Sequence, residues 1–279
     1  MIKLNGETII TEKFPNNETK VKDFLSKKGD NIVELKYESD ADLILLMFVK
    51  KEIDTWCVPC KLFIWYMPYS RMDRKIEGDL FTLEYVSDFL AWLNFDSICI
   101  MEPHSEVTEK EIKLSIEYNN VNTKLHTIYP ACDWLPTVQK EIGFNEKDHI
   151  VFPDKGAAAR YKDKDYENVC IMEKKRNPAT GQIISMTLKE GQVNPGSKCI
   201  IIDDLCSKGG TFAWAASILK DHGASEVYLI VTHCEETIFA GTLLKDTSPI
   251  EKVYTSASMM EKSHNKIKYM DVDVEGYIY

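Results

Sequence analysis

The chain has 279 residues, of which 44% are hydrophobic and 28% are charged, and its formal net charge is -10 at pH 7. This length suits one large or two medium-sized domains, and the apolar share is large enough to fill folded cores. The net charge is negative and no stretch is strongly basic, so no nucleic-acid partner is expected. Binding of small phosphates stays open, because backbone N–H groups and a few placed cations can supply a local positive field.

Targeting signals and cysteines indicate the compartment. The first residues, MIKLNGETIITEKF, contain no apolar core flanked by basic residues, and no apolar run approaches the roughly 18 residues that a membrane span needs. The eight cysteines occur singly, several of them in apolar strand-like runs, which is typical of a reducing compartment. We therefore expect a cytoplasmic protein without a membrane partner. The CxxC pair Cys57 and Cys60 lacks a second pair at metal-ligand spacing, so zinc or redox chemistry and an ordinary pair of thiols are both open.

Apolar runs of strand length alternate with amphipathic segments of helix length. The predicted strands, in chain order, cover residues 43–49, 62–67, 97–101, 149–152, 169–172, 199–202 and 227–231. Helical patterns cover 81–94 and 211–222, and the second is followed by Gly223, a residue that favours the left-handed conformation at a helix end. This alternation predicts an α/β fold with parallel sheets flanked by helices on both faces.

The polar stretch 140–147 separates two segments of roughly domain size. We therefore predict one domain over residues 1–142 and a second over residues 143–279. In the second, segment 177–195 contains two prolines, two glycines and many polar residues, and it directly follows the basic cluster Lys174-Lys175-Arg176. We interpret this segment as a flexible excursion.

A pair of carboxylates followed by a glycine-rich loop is the sharpest motif. The buried strand 199–202 delivers Asp203 and Asp204 to its carboxyl end, where open α/β sheets place their ligands. Glycines allow close backbone approach to an anion, and the following helix N-terminus adds N–H donors. The loop residues are Ser207, Lys208, Gly209, Gly210 and Thr211. This arrangement suits a ribose phosphate, with the acids accepting from the 2- and 3-hydroxyls and the loop holding the 5-phosphate. An ordinary strand, glycine-rich turn and helix is the alternative interpretation.

This motif resembles the signature of the type I phosphoribosyltransferase superfamily, in which four apolar residues and two acids precede four variable residues and a Gly-x-Thr ending. Within that superfamily the chain is most similar to the ribose-phosphate diphosphokinase (PRPP synthetase) family. The resemblance implies two Rossmann-like type I phosphoribosyltransferase domains. The first would carry ATP-binding loops and the second the ribose-phosphate loop.

Residues 13–21 resemble the Phe-x-Asp-Gly-Glu loop of that family, which reaches across a dimer interface to cover the adenine of ATP. By this resemblance Phe14 would stack on the base, and Asn16 and Glu18 would hydrogen-bond to its edge. Asn16 and Asn17 stand where Asp and Gly are usual. Taken alone, the segment is also consistent with a turn that leads into a strand.

Residues 68–75 are similar to the family's Tyr-x-Arg-Gln-Asp-Arg-Lys motif. The resemblance implies that Arg71 contacts ATP, while Asp73 and Arg74 shape the ATP-binding site. The alternative for such a cluster of opposite charges is a solvated loop.

Residues 98–105 look like the family's strand that ends in Asp-Leu-His, and residues 150–160 like its Ser-Pro-Asp-x-Gly-Gly stretch. The resemblance implies that His104 binds ATP or its Mg²⁺ and that Asp154 holds Mg²⁺ near the ribose. One protein carboxylate can suffice, because Mg²⁺ keeps several waters and binds substrate phosphates. A histidine with satisfied hydrogen bonds is the alternative for His104.

Lys174 and Arg176 match the family's Lys-x-Arg at the base of a mobile catalytic loop. Residues two apart in a strand point to the same side, so both cations can reach one polyphosphate. We expect them to stabilise the charge that develops during transfer; a solvated charge run is the alternative. The stretch 234–241 is longer than in the family, and we interpret it as a loop near the active site.

The resemblance implies a Mg²⁺-dependent transferase of nucleotide biosynthesis that moves the β,γ-diphosphate of ATP onto the anomeric 1-hydroxyl of ribose 5-phosphate, giving PRPP and AMP. Ser207 and Lys208 replace the common Asp-Thr, and the gained cation suits a more negative acceptor. ADP-ribose, as in phage NAD⁺ salvage, is therefore an alternative acceptor. A PRPP-consuming phosphoribosyltransferase and a non-catalytic regulatory homologue are further alternatives. The resemblance also implies at least a homodimer, with a hexamer left open.

Overall fold

The computed structural model describes residues 1–22, 24, 29–161, 166–176 and 183–278, with the side chain of Arg176 left out. These residues form two compact units. One unit comprises Met1–Ile128 together with the C-terminal residues from Asp273 onward, and the other comprises Tyr129–Val272. No helix in the described part of the chain is long and apolar enough to cross a membrane.

The first unit is an α/β unit with a largely parallel sheet. Its elements are β1 (Ile2–Leu4), β2 (Glu7–Thr8), β3 (Ile10–Lys13), β4 (Thr19–Lys22), β5 (Asn31–Leu35), α1 (Ala41–Thr55), β6 (Cys60–Ile64), α2 (Thr82–Leu93), β7 (Ser97–Met101), α3 (Glu106–Tyr118) and β8 (Lys124–Ile128). Among the described residues the main sheet has the order β2-β1-β5-β6-β7-β8, and β5 to β8 are parallel. Strands β3 and β4 form a separate antiparallel hairpin.

The second unit has the same architecture. Its elements are α4 (Pro130–Ile142), β9 (His149–Phe152), α5 (Lys155–Arg160), β10 (Val169–Arg176), β11 (Ile183–Glu190), β12 (Lys198–Cys206), α6 (Gly210–Asp221), β13 (Glu226–Cys234), a 3₁₀ helix (Glu236–Ala240), β14 (Lys252–Thr255) and β15 (Ile267–Tyr269). The described strands have the order β11-β10-β9-β12-β13-β14-β15, and β11 is antiparallel to its neighbour β10. The terminal helix α7 (Val274–Ile278) belongs to the first unit. The predicted α/β class with parallel sheets is confirmed.

Helices cover both faces of the second sheet, which explains its apolar strands. Ile200 and Ile202 of β12 share a core cluster with Trp134 of α4. The alternate residues Cys199 and Ile201 pack in a different cluster, together with side chains of α6. Because successive side chains of a strand point to opposite faces, a strand between two helical layers is apolar at every position.

The predicted boundary at residues 142 and 143 differs from the division of the structure, which falls after Ile128. The reason is that α4 packs on the second sheet and buries Trp134 and Val138 in its core. The polar stretch 140–147 therefore comprises the end of α4 and part of its connection to β9, within one unit.

The predicted strand 43–49 is wrong, because these residues lie within α1. The run LILLMFV is apolar throughout, and periodicity cannot separate a strand from a helix in so short a segment. The helical spacing appears only over its full length, where Leu45, Val49 and Ile53 are buried while Ile44 and Phe48 are exposed. The six other predicted strands overlap observed strands, and both predicted helices correspond to α2 and α6.

The prediction of a flexible excursion is wrong for residues 183–190, which form β11. Met186 and Leu188 pack in the core, whereas Thr187 and Lys189 are exposed, so the strand has one face on the core. This alternation is obscured in the sequence by the surrounding prolines and glycines. Residues 177–182 lie outside the described residues.

Candidate active site

The second unit brings three predicted site carboxylates to one edge of its sheet. Strands β9 and β12 are parallel neighbours, and Asp154 follows β9 while Asp203 and Asp204 lie near the end of β12. From β9 the chain continues to β10 on one side, and from β12 to β13 on the other. This is the topological switch point at which open α/β sheets bind their ligands.

Asp203 and Asp204 share one cation. The Nη1 atom of Arg160 lies 3.0 Å from Oδ1 of Asp203 and 3.1 Å from Oδ1 of Asp204, and all three side chains are largely buried. Burial and the adjacent Asp204 carboxylate raise the pKa of Asp203 well above its usual range, and Arg160 acts in the opposite direction. The predicted diol-binding acids are therefore a buried pair whose charge depends on Arg160.

Asp154 joins the start of α5 to β10. Its Oδ1 accepts a hydrogen bond from the backbone N–H of Ala157 at 2.9 Å, which caps the helix, and its carboxylate forms an ion pair with Lys174. Burial works against ionisation of Asp154, but Lys174 and the backbone N–H groups outweigh it and hold its pKa below the usual range. The predicted metal ligand and the predicted catalytic lysine are thus in direct contact. For Arg176, the other predicted catalytic cation, only the backbone at the end of β10 is described.

The predicted phosphate loop leads from β12 into α6. Gly209 precedes the helix with a φ of +78°, and a Cβ atom there would lie 2.1 Å from Cδ1 of Leu243, so both conformation and space require glycine. Lys208 is exposed and Ser207 and Thr211 are half-buried. A Cβ atom on Gly210 would have nothing within 4 Å, so the start of α6 is open to a ligand.

Sequence reasoning missed the support beneath this loop. A Cβ atom on Gly241 would lie 2.0 Å from the carbonyl oxygen of Lys208, so the segment after the 3₁₀ helix contacts the loop backbone directly. Leu243 packs on Gly209 from the same segment. The stretch 234–241 was predicted to lie near the site, but no motif marked Gly241.

Arg160 was missed as well. It lies six residues after Asp154, at the end of an alanine-rich helix, and its acidic partners are 43 residues away along the chain. The only signal in the sequence is a cation directly after three alanines, which does not identify a partner.

The residues of the second unit fit a magnesium ion only in part. Among the described residues, no group of three or more His, Cys, Asp or Glu side chains is arranged to hold a metal. Asp154 offers one carboxylate, which suits an ion that arrives with substrate phosphates, but Lys174 already occupies it. His104 belongs to the first unit, and a metal shared by His104 and Asp154 stays a prediction.

In the first unit, the predicted adenine-binding residues lie in the turn between β3 and β4. The Phe14 side chain is 49% exposed, its backbone N–H donates to the Glu18 carbonyl at 2.9 Å, and Oδ1 of Asn16 accepts from the Glu18 N–H at 3.2 Å. Asn17 has a φ of +69°, a conformation that glycine adopts freely and asparagine tolerates. This geometry explains why Asn can stand where the family has Gly.

Arg71 and Asp73 lie in the loop after β6, and His104 lies in the loop after β7. Because β6 and β7 are parallel neighbours, both loops leave the same edge of the sheet. Arg71 is exposed, His104 is half-buried, and Asp73 lies 3.4 Å from the Nε atom of Arg74. The two loops therefore lie at one edge of the sheet, and their contacts with ATP stay a prediction.

The loop that carries Arg71 has a structural anchor. Tyr69 has a φ of +62°, and its hydroxyl donates to Asp40. Tyr37 donates to the same carboxylate at 2.5 Å. These two hydrogen bonds hold an aromatic residue in the left-handed region two positions before Arg71.

Two other features carry no predicted site residue. Cys57 is exposed and Cys60 is buried, and both are free thiols. Burial raises the pKa of Cys60 to about 12, which favours the interpretation as ordinary thiols.

A cavity of about 630 Å³ lies at the opposite edge of the second sheet, beside Asp148 and Asn168, which precede β9 and β10.

The chain is similar in sequence to proteins of known families. The family model described as "Phosphoribosyl synthetase-associated domain" matches residues 154–275. The ribose-phosphate pyrophosphokinase of Sulfurisphaera tokodaii is 28% identical over 217 residues, covering 71% of this chain and 70% of that protein. That of Sulfolobus acidocaldarius is 25% identical over 273 residues and 89% of each chain. Ribose-phosphate pyrophosphokinase 2 of Saccharomyces cerevisiae is 29% identical over 179 residues, covering 63% of this chain and 51% of that protein.

The fold is also similar to a solved structure. The phosphoribosylpyrophosphate synthetase of Mycobacterium smegmatis is matched with a TM-score of 0.73 at 18% identity, over 94% of this chain and 85% of that one. The fold is thus of the phosphoribosyltransferase type. Together, the family-model match, the curated relatives and the solved structure support the PRPP synthetase family, as the sequence predicted.

Proposed function

We propose that this chain is a diphosphokinase that transfers the β,γ-diphosphate of ATP to the anomeric 1-hydroxyl of ribose 5-phosphate, giving PRPP and AMP. The observation that carries the proposal is the cluster at the switch point of the second sheet. There the Asp203–Asp204 pair adjoins a glycine-rich helix N-terminus, and Lys174 lies on the other side of β9. The relatives named ribose-phosphate pyrophosphokinases support the same activity.

The acceptor binds to the second unit in this proposal. The carboxylates of Asp203 and Asp204 accept hydrogen bonds from the 2- and 3-hydroxyls of the ribose. The 5-phosphate lies at the start of α6, where the backbone N–H groups of the first helical turn and the Ser207 and Thr211 hydroxyls are donors.

The transfer itself requires positioning and charge neutralisation more than covalent help from the protein. The oxygen of the 1-hydroxyl forms a bond to the β-phosphorus of ATP, and the bond from that phosphorus to the oxygen of AMP breaks. Lys174 and Arg176 interact with the transferred diphosphate. To do so, Lys174 leaves its ion pair with Asp154 and forms one with the diphosphate. Magnesium, when bound with the ATP phosphates beside Asp154, supplies further charge neutralisation.

The first unit binds ATP in this proposal. Phe14 stacks on the adenine, with Asn16 and Glu18 at its edge, and the loops that carry Arg71 and His104 contact the phosphates. The exposure of Phe14 on an isolated hairpin supports donation of this turn to a second copy of the chain, and hence at least a homodimer.

ADP-ribose is a second candidate acceptor, favoured by one observation. Lys208 is an exposed cation within the phosphate loop, and the open space next to Gly210 leaves room for a group larger than a monophosphate. A diphosphate at this position would gain an ion pair with Lys208.

The test is to incubate the protein with ATP and Mg²⁺, supplying ribose 5-phosphate or ADP-ribose in separate reactions, and to measure AMP release and product mass. AMP with PRPP supports the leading proposal, and a product of ADP-ribose heavier by one diphosphate supports the second. No AMP from either acceptor would refute both.

A matched pair of variants assigns the activity to this site. Lys174→Met should reduce AMP release by about a hundredfold or more. Lys175→Met, on the same strand but pointing to the other side, should stay within about twofold of the unmodified protein. Equal activities of the two variants would contradict the role of Lys174.

A further inference from the structure

Arg160 is placed to control the geometry of the acid pair. Its guanidinium is 11% exposed, and a single nitrogen, Nη1, lies within 3.1 Å of one oxygen from each of Asp203 and Asp204. Two adjacent carboxylates in a buried strand repel each other and lose hydration, so a cation that bridges them stabilises the ionised pair. The rigid planar guanidinium also fixes the direction of both carboxylates.

The helix that carries Arg160 is held in place by other contacts. Asp154 caps its first turn, Ala157 is buried in the core, and the ring of Tyr161 stacks on Phe152 with centroids 5.8 Å apart. Since α5 does not depend on Arg160 for its position, the ion pair acts on the acids rather than on the helix.

We propose that Arg160 is a positioning residue of the acceptor site, which holds the carboxylates of Asp203 and Asp204 in the one orientation that receives the vicinal 2- and 3-hydroxyls of a ribose. This inference rests on the proposed function. The proposed role makes the acceptor site selective for a vicinal diol. An acceptor that lacks one of the two hydroxyls gains less from having both carboxylates oriented by Arg160.

The charges around the pair support this role. Asp203 is influenced by the Asp204 and Asp154 carboxylates, both of which raise its pKa, and by Arg160, which lowers it. Within the described surroundings of Asp203, Arg160 is thus the cation that counteracts two neighbouring acids. Without it, the pKa of Asp203 would rise further and the two carboxylates would be free to turn apart, and either change weakens an acceptor for a ribose hydroxyl.

The experiment compares Arg160→Met, Arg160→Lys and the unmodified protein with ribose 5-phosphate and 2-deoxyribose 5-phosphate. Arg160→Met should raise the KM for ribose 5-phosphate by about tenfold to a hundredfold, with a smaller effect on kcat. The KM for the deoxy acceptor should change by less than about threefold, because one hydroxyl contact is already missing. Arg160→Lys should recover part of the loss, since an ammonium keeps the charge but not the planar geometry.

A matched control is Lys252→Met. Lys252 pairs with Glu141 at 3.1 Å at the start of β14, the edge of the sheet that faces away from the acid pair. This variant should leave both KM values unchanged. An Arg160→Met protein with unchanged KM values, or with equal increases for the two acceptors, would overturn the proposal.

Folding and the proposed function are tested separately. If Arg160→Met does not fold, Arg160→Met with Asp204→Asn removes the like-charge repulsion, and it is compared with Asp204→Asn alone. Weaker diol binding by the double variant is expected, and equal binding would overturn the proposal. If the unmodified protein releases no AMP, the proposed function fails. Calorimetric titration of ribose 5-phosphate then still tests Arg160, because weaker binding by Arg160→Lys is expected and equal binding would contradict its role.

Discussion

Lys174 on β10 forms an ion pair with Asp154, the residue that caps the first turn of α5. Sequence reasoning assigned the two residues to different tasks, one to the transferred diphosphate and the other to Mg²⁺. The structure shows that, without substrates, each satisfies the charge of the other. A cation that approaches Asp154 must therefore compete with Lys174, and Lys174 becomes available to phosphates when that contact is exchanged.

Removal of Lys174 should consequently strengthen the binding of a divalent ion to Asp154. We expect Lys174→Met to bind Mn²⁺ about fivefold more tightly in the absence of nucleotide, equivalent to roughly 1 kcal/mol. Titration of free Mn²⁺ by electron paramagnetic resonance measures this without any dependence on activity. Lys175→Met is the control and should match the unmodified protein. Weaker Mn²⁺ binding by Lys174→Met would show that the lysine does not compete at this carboxylate.

The ion pairs at the end of α4 predict how the stability of the protein depends on pH. Glu141 at its end accepts from Lys268 of β15 at 2.6 Å and from Lys252 of the neighbouring strand β14 at 3.1 Å. The hydrogen bond from Lys268 is the largest of the effects that hold the pKa of Glu141 below its ordinary value of 4.5, while burial opposes them. A lowered pKa in the folded state stabilises the fold above the unfolded-state pKa, and the gain disappears as the pH falls through the folded-state value.

Glu141→Gln should therefore lower the free energy of unfolding by about 0.5 to 1 kcal/mol at pH 7. The difference from the unmodified protein should shrink as the pH falls below about 4.5. Urea unfolding at pH 7 and pH 3.5 measures both values, with Glu146→Gln, an exposed acid outside this cluster, as the control. A difference that is constant with pH would contradict the role of the charge.

Gly241 tests the support of the phosphate loop. Its φ of -91° is open to any residue, so steric contact with the Lys208 carbonyl is the reason for glycine. Gly241→Ala should displace the loop and raise the KM for the acceptor by about tenfold, with a smaller change in the KM for ATP. Gly196→Ala is a control for general destabilisation, since Gly196 has a φ of +76° with nothing near its Cβ position. If both variants raise the acceptor KM equally, the contact with Lys208 has no specific effect.

The sequence predicted well those features that depend on local pattern. Strand 97–101 and the helix that stops before Gly223 follow from continuous burial and a left-handed helix end, and the structure has both. The 43–49 prediction failed because helix and strand patterns coincide in an apolar run. Arg160 and Gly241 were missed because their significance depends on residues brought close only by the fold, namely the acid pair and the Lys208 carbonyl.

Lys208 should distinguish the two candidate acceptors. Lys208→Thr removes an exposed cation of the phosphate loop and places a hydroxyl donor there. We expect kcat/KM for ADP-ribose to fall by about threefold to tenfold, and that for ribose 5-phosphate to change by less than about twofold. The ratio of the two rates in one reaction mixture is the measurement. An equal fall for both acceptors would assign Lys208 to the shared 5-phosphate instead.

Phe14 should contribute to ATP binding without contributing to folding. Its side chain is 49% exposed at the tip of the β3–β4 turn, so Phe14→Ala removes little buried area and should leave the free energy of unfolding within about 0.5 kcal/mol. Loss of stacking on adenine should raise the KM for ATP by about fivefold, with the acceptor KM unchanged. Ile10→Ala, on the same hairpin and 57% exposed, is the matched control and should alter neither constant. If the two variants behave alike, Phe14 does not contact the base, and the hairpin requires a different role.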